Sequence, residues 1–423
     1  MTIFASLVPA DFRGALTPPV RKFFIYTLLQ CVGNGLTLSL FVIYLHNVRG
    51  FSTNDATLLL AVSAAAGLAT SPFWGTMVDR FGPAPVILLA CVAEPAALIT
   101  WAFAKSWPQL VVAALLLAIF GGAGWGPGST MLSRLVAEQH RQRAFGFNFM
   151  LVNLGIGFGA LFSATIVDLH HPSSFTVLYL VDACITIVAG VTIIPLRRHG
   201  RAPEGSADDV TPNSQGWRDV LRDRRLIQYV LASLVLLVGG YGSQEAGFSL
   251  FVVNNLRLPV HVIGIIFFFN TTTIVAVQLW VLNRVEGRSR TRVMASVALL
   301  WFFFWIMLDV ALALPGVIAV LSLCLAMVVF AIGETMLSPV GPAIVNDIAP
   351  EHLRGRYNAA GGLTWGISNT IAPALTALYF NNHLGNWWPF ATGLTALAGG
   401  LLMLNLRRHL SASEDGRATV PSD

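Results

Sequence analysis

Long apolar runs follow one another along the whole chain, separated by short polar clusters. A helix needs about 20 apolar residues to cross a hydrocarbon core. The pattern predicts such helices near 22–45, 55–78, 83–104, 108–133, 144–168, 174–196, 226–253, 259–283, 292–314, 316–345, 357–380 and 386–406.

The polar clusters test that count. With the N-terminus inside and the spans alternating, the inner side collects 23 of the 26 lysines and arginines, from Arg13 to Arg417. The outer side keeps only Arg49, Lys105 and Arg257. Omitting one helix would invert every later loop and destroy the asymmetry that membrane insertion produces. Twelve spans with both ends cytoplasmic are therefore expected.

One connection is long. Residues 197–225 read RRHGRAPEGSADDVTPNSQGWRDVLRDRR, the composition of a linker. Its end, Trp217 to Arg225, reads equally as a short amphipathic helix on the inner leaflet or as a plain tether. The linker divides the chain into an N-terminal six-helix half (1–196) and a C-terminal six-helix half (226–406), followed by a cytoplasmic tail (407–423). Arg141-Gln-Arg143 before span 5 and Arg354-Gly-Arg356 before span 11 stand at equivalent places. Such a parallel repeat puts a substrate between the halves.

Composition agrees with this reading. Charged residues make up 11% and hydrophobic ones 55% of 423 residues, against about 25% charge in soluble domains. The first twenty residues lack the pattern of a cleavable signal peptide. Cys31, Cys91, Cys184 and Cys324 lie far apart within apolar stretches and read as packing residues. All nine histidines fall in loops or near span ends, with no metal-ligand, phosphate-loop or nucleophile motif. An enzyme, a metal site or a cofactor is therefore not expected. The net charge of +5 tracks the membrane faces and does not point to nucleic acid.

Between spans 2 and 3 the chain reads Gly75-Thr-Met-Val-Asp79-Arg80-Phe-Gly82-Pro83. Gly75 permits close helix packing, Asp79 can pair with arginines, and Gly82-Pro83 makes a tight turn into the next helix. This resembles the signature loop of the major facilitator superfamily, although Pro83-Ala84-Pro85 replaces the usual basic residues. The resemblance implies an all-α membrane protein with two six-helix halves, the major facilitator fold. It also implies that Asp79 latches the halves on the cytoplasmic side, with Arg134, Arg141 and Arg143 as partners. The second-half counterpart, Arg284-Val-Glu286-Gly287-Arg288, is a degenerate echo. Gly333-Glu334…Pro339 and Ala349-Pro350-Glu351 resemble the twelve-span bacterial drug–proton antiporter branch. That branch carries a glycine-rich antiporter motif in span 5. Here Gly155, Gly157 and Gly159 are present without its proline, and Gly155 and Gly159 also suit plain helix packing.

Ionisable groups within spans are costly and mark function by default. Five stand out: Glu94, Asp182, Glu245, Asp309 and Glu334. The resemblance assigns spans 1, 4, 7 and 10 to the cavity and spans 3, 6, 9 and 12 to the outside. Glu245 and Glu334 are thus the candidate proton-coupling groups, and the other three are expected to be structural. No lysine or arginine lies within a span, so each carboxylate is most simply held neutral until a proton or cation is exchanged. For Glu334 a protonated helix–helix hydrogen bond is an equal alternative. For Glu245, the preceding Gly239-Gly240-Tyr241-Gly242-Ser243-Gln244 weakens the helix and favours a bend there. Tyr26, Gln30, Asn34 and Thr37 form one polar stripe on span 1, facing protein or a wet cavity. Trp125, in a glycine-rich run of span 4, suits packing or stacking on a cation. Tyr241 and Gln244 complete the candidate lining.

Two functions follow from these features. One is proton-coupled efflux of small hydrophobic or cationic organic compounds by alternating access, and the other is uptake of a neutral metabolite such as a sugar. A sensor is a remote third. The expected partners are a small-molecule substrate, protons and the lipid bilayer, in a monomer of the bacterial cytoplasmic membrane.

Overall fold

Twelve long helical stretches dominate the computed structural model, which describes residues 13–37, 44–168, 171–198, 216–259 and 261–417. They are α1 (Pro18–Thr37), α2 (Thr53–Phe81), α3 (Pro83–Phe103), α4 (Trp107–Leu135), α5 (Arg141–Ile166) and α6 (Ser173–Ile193). Then come α7a (Arg224–Leu237) and α7b (Ser243–Asn254), joined by a π-helical turn Val238–Gly242. The last five are α8 (His261–Val285), α9 (Arg290–Ala311), α10 (Gly316–Ile348), α11 (Arg354–Asn381) and α12 (Trp388–Leu406). No strand occurs among the described residues. Most of the linker, 199–215, lies outside them, as do the side chains of 122–125 and with them the candidate Trp125.

Among the described residues ten helices are long and apolar enough to cross a membrane; α11 is not one of them, and α1 is described only as far as Thr37. α11 carries polar residues that protein, rather than lipid, covers. Thr364, Ser368 and Thr376 of α11 and Thr27 of α1 are all buried. Elsewhere large apolar side chains such as Val92, Leu161, Val317 and Leu401 stand exposed, as a lipid-facing surface requires.

The chain divides into two compact units. The first holds Met1–Ala144, Asn148–Gly216 and Pro350–Ala359; the second holds Phe145–Phe147, Trp217–Ala349 and Ala360–Asp423. In the first, α3 packs against α4 and α6, α2 runs along α4, and α1 lies on α6. Gly155 and Gly159 of span 5 serve packing, whereas Gly157 faces open space: a Cβ on Gly155 would reach Cys31 Cβ at 2.7 Å and the Leu28 carbonyl at 2.9 Å of α1. Gly35 meets the Ile156 backbone in the same way. One end of this unit is closed by Tyr44, Trp101, Phe175 and Tyr179, with ring centroids 5.3–6.2 Å apart.

In the second unit, α9 packs against α10 and α12, α8 against α10, and α7a against α12. Its core is aromatic. Trp305 stands edge-on to Trp388 at 4.9 Å, and Trp301 stacks on Phe330 at 5.0 Å; each such pair adds about 0.5–1.5 kcal/mol beyond area burial. The glycines predicted to weaken span 7 produce the π turn. That turn leaves carbonyls without ordinary helical partners. The Trp305 indole N–H donates to the Gly239 carbonyl at 2.7 Å, and Ser243 Oγ donates to that of Val238 at 2.6 Å. Gly239 and Gly240 also press against Ala396 and Trp301, where a side chain would collide.

Residues 411–417 are built into this unit. Asp415 is completely buried: its carboxylate accepts from Ser289 Oγ (2.7 Å), Thr291 N–H (3.0 Å) and Thr291 Oγ1 (2.9 Å) at the start of α9. Arg417 and Arg407 approach it at 3.2 and 3.6 Å.

Candidate functional site

The signature loop is shaped by its glycines. Gly82 closes α2 and precedes Pro83, the first residue of α3, at φ 86°, a left-handed conformation that a side chain would strain. Asp79, in the last turn of α2, is 5% exposed. It accepts the backbone N–H groups of Gly355 at 2.6 Å and Arg356 at 3.2 Å, and the Arg356 guanidinium lies 3.3 Å away. It thereby caps α11, where free N–H groups and the helix dipole favour an anion. Arg356 is the arginine that reaches it; of the three first-half arginines expected nearby, Arg134 adds its charge. Arg80 lies over the ring of Phe81 at 5.2 Å. Gly75 lets the start of α11 come close, since its Cβ would lie 2.7 Å from Ala359 Cβ and 2.9 Å from the Gly355 carbonyl. Asn358, one turn into α11, is held by Ser129 Oγ at 2.8 Å and Thr130 Oγ1 at 3.1 Å.

A Cβ on Gly355 would lie 2.5 Å from the Gly75 carbonyl and 2.7 Å from Asp79 Oδ1. Backbone cannot yield there as a flexible side chain can. Gly355→Ala should therefore pry the cap open and destabilise the protein by about 1–3 kcal/mol, the range for overpacking. Thermal melting of the purified variant checks this, and an unchanged melting point would mean that α11 shifts freely.

Glu334, on α10, is 3% exposed. Asn270 Nδ2 of α8 donates to it at 2.5 Å, and the Tyr241 hydroxyl hydrogen-bonds to it from the π turn. Tyr241 stands edge-on to Trp365 at 4.9 Å and lies 6.0 Å from Phe330 and 6.4 Å from Trp301. Gln278 donates to the Thr335 carbonyl at 3.1 Å, one residue beyond Glu334. Gln244 is buried in the first turn of α7b. Glu245 beside it is exposed, yet near enough to act electrostatically on Tyr241 and Glu334. One acid, one amide, one phenol and three aromatic faces thus meet around α10. Trp365 was not visible as a site residue in the sequence, because nothing separates it from the other ten tryptophans until α11 is placed.

The stripe on α1 finds partners in its own unit. Tyr26 hydrogen-bonds to Cys91, Gln30 Nε2 donates to Glu94 at 2.8 Å, and Thr37 Oγ1 donates to Asp182 at 3.0 Å. Asn34 is exposed. Asp182 also has the Thr186 hydroxyl. Asp309 lies half-buried in the last turn of α9. Among the described residues, no group of three or more His, Cys, Asp or Glu could hold a metal ion.

Lipid-facing helical units with a few hydrogen-bonded acids in their interiors define a multi-pass membrane carrier. The family model of the Major Facilitator Superfamily matches residues 23–324 and 248–421, and the chain belongs to that superfamily of transporters, which are not enzymes. It is 25% identical over 398 residues to a Na(+), Li(+), K(+)/H(+) antiporter of Planococcus maritimus, covering 84% of this chain and 88% of that one. It is 21% identical over 359 residues to Multidrug resistance protein 1 of Bacillus subtilis (strain 168), again covering 84% and 88%. Among solved structures, a bacterial homologue of the iron transporter ferroportin aligns at TM-score 0.74 and 12% identity, over 92% of this chain and 99% of that one. That likeness establishes the fold.

Proposed function

We propose that the protein is a proton-coupled antiporter that exports small hydrophobic or cationic organic compounds by alternating access. Its place is a bacterial cytoplasmic membrane, as a monomer with both termini inside. The observation that carries this reading is Glu334. It is a buried acid with a phenol and an amide as hydrogen-bond partners, aromatic rings beside it, and no lysine or arginine among the described groups that act on it. Such a group is held neutral by a proton or neutralised by a cation, and the exchange of one for the other is antiport. The exposed ring of Trp365, 4.9 Å from that of Tyr241, suits an organic cation better than a sugar. Relatives named for multidrug resistance and for cation/proton antiport support the same class.

The test uses proteoliposomes loaded with a pH dye and challenged with lipophilic cations, neutral drugs and sugars. Lipophilic cations should move protons in the direction opposite to their own. Sugar movement without proton flux would replace this reading by uptake of a neutral metabolite.

A further inference from the structure

We infer that Glu94 and Gln30 form an acid–amide pair in the first unit, a second protonation site separate from Glu334. The Gln30 amide makes only half of its hydrogen bonds. Its Nε2 donates to Glu94 Oε2 at 2.8 Å, while its Oε1 is buried and accepts from no donor among the described residues. A buried amide carbonyl without a donor is rare and costly. A carboxylate has no hydrogen to offer it, whereas a carboxylic acid has one. A proton on Glu94 is thus the hydrogen the pair lacks, because an acid and an amide can each donate to the other.

The surroundings favour the neutral form over an ion pair. The titratable groups that act on Glu94 are Tyr26 from α1, Cys91 from its own helix and Asp182 from α6. None is a cation. α4 presents Gly121, whose Cβ would lie 3.5 Å from Glu94 Oε1, and carries its sole titratable residue, Arg134, at its far end. α2 likewise has Asp55, Asp79 and Arg80 only at its ends. The neighbouring acid differs: Asp182 receives hydroxyl donors from Thr37 and Thr186, and no amide carbonyl pairs with it. Gln30 and Thr37 stand two helical turns apart on α1, about 10 Å along the axis, so the two acids are separate stations. Exposed Asn34, between them, opens the stripe outward. The site stands whether or not Glu334 couples transport.

Infrared difference spectroscopy of the purified protein in lipid nanodiscs, titrated with pH and without substrate, reads this site directly. In a Glu334→Gln background a carboxylic-acid carbonyl band should remain and should titrate. Adding Glu94→Gln should remove that band and lower the proton release on an alkaline jump by one per protein. Asp182→Asn should leave the band in place. Gln30→Leu keeps the acid but removes its partner, so the band should persist at a shifted frequency, and this variant carries the test if Glu94→Gln does not fold. A band unchanged by Glu94→Gln, or unmoved in frequency by Gln30→Leu, would overturn the assignment. Discharge of the band by Na+ or K+ at constant pH would also overturn it, in favour of a metal-cation site.

Discussion

Replacing Glu334 by Gln should abolish substrate-driven proton flux while leaving the protein folded. The reason lies in what the substitution keeps. Glutamine has the length of glutamate, so its carbonyl can still accept from Asn270, and its amide can donate to the Tyr241 oxygen. Near-isosteric changes in a buried site cost less than about 1.5 kcal/mol, and the variant should melt close to wild type. What it cannot do is release and rebind a proton. In proteoliposomes, a lipophilic cation imposed on one side should then produce no dye response above background. Glu245→Gln is the informative companion. Glu245 is exposed and touches the site only through its charge, so its loss should reduce the flux without removing it. Full flux in Glu334→Gln would return Glu334 to the role of an interhelical hydrogen bond.

The fold was legible because lipid imposes a simple rule on the sequence, and its exceptions are physical too. Hydropathy of the described helices passes over α11. The distribution of arginines demands it, since topology is set by which side the charges lie on, not by how apolar each span is. The polar residues of α1 and α11 are what these helices contribute. Gln30 and Thr37 of α1 meet acids of α3 and α6, and Thr364, Ser368 and Thr376 of α11 are buried against protein. The acids were readable as costly residues, and their partners were readable only in part. Tyr26, Gln30, Asn34 and Thr37 announced themselves by helical spacing. That Glu94 would be the acceptor for Gln30, 64 positions away, depends on how α3 turns against α1. The signature loop shows the same division. Gly75 and Gly82 carry backbone requirements that a sequence motif records. The Gly355 and Arg356 amides that meet Asp79 lie some 276 positions on and carry no signal of their own, because any residue but proline supplies an N–H. Trp365 is hidden for another reason: aromatic residues make up 11% of the chain, and most of them pack.

Asp415→Ala should destabilise the protein by about 3–5 kcal/mol, the cost of breaking a buried charged network by removing one partner. By composition the residues after span 12 are a polar tail, and nothing in their sequence distinguishes a tether from a structural element. In the structure they close one end of the second unit. Alanine at 415 would leave the Thr291 N–H, the hydroxyls of Ser289 and Thr291, and the guanidinium groups of Arg407 and Arg417 without the carboxylate they share. Backbone contacts depend on the same turn: Arg290 N–H donates to the Asp415 carbonyl at 2.8 Å, and the Arg290 guanidinium holds the Glu414 carbonyl at 2.9 Å together with Asp347 of α10 at 2.6 Å. Glu414 in turn pairs with Arg225, at the start of α7a, at 2.6 Å. Loosening residue 415 therefore releases the starts of α7a and α9 and the end of α10 together. Asp415→Asn retains one acceptor oxygen and should lie between the two. Truncation after Leu410 should match or exceed the alanine variant. Thermal unfolding followed by tryptophan fluorescence in detergent ranks the four proteins. A truncated chain that melts with the wild type would show that the α7a, α9 and α10 ends hold one another without the tail.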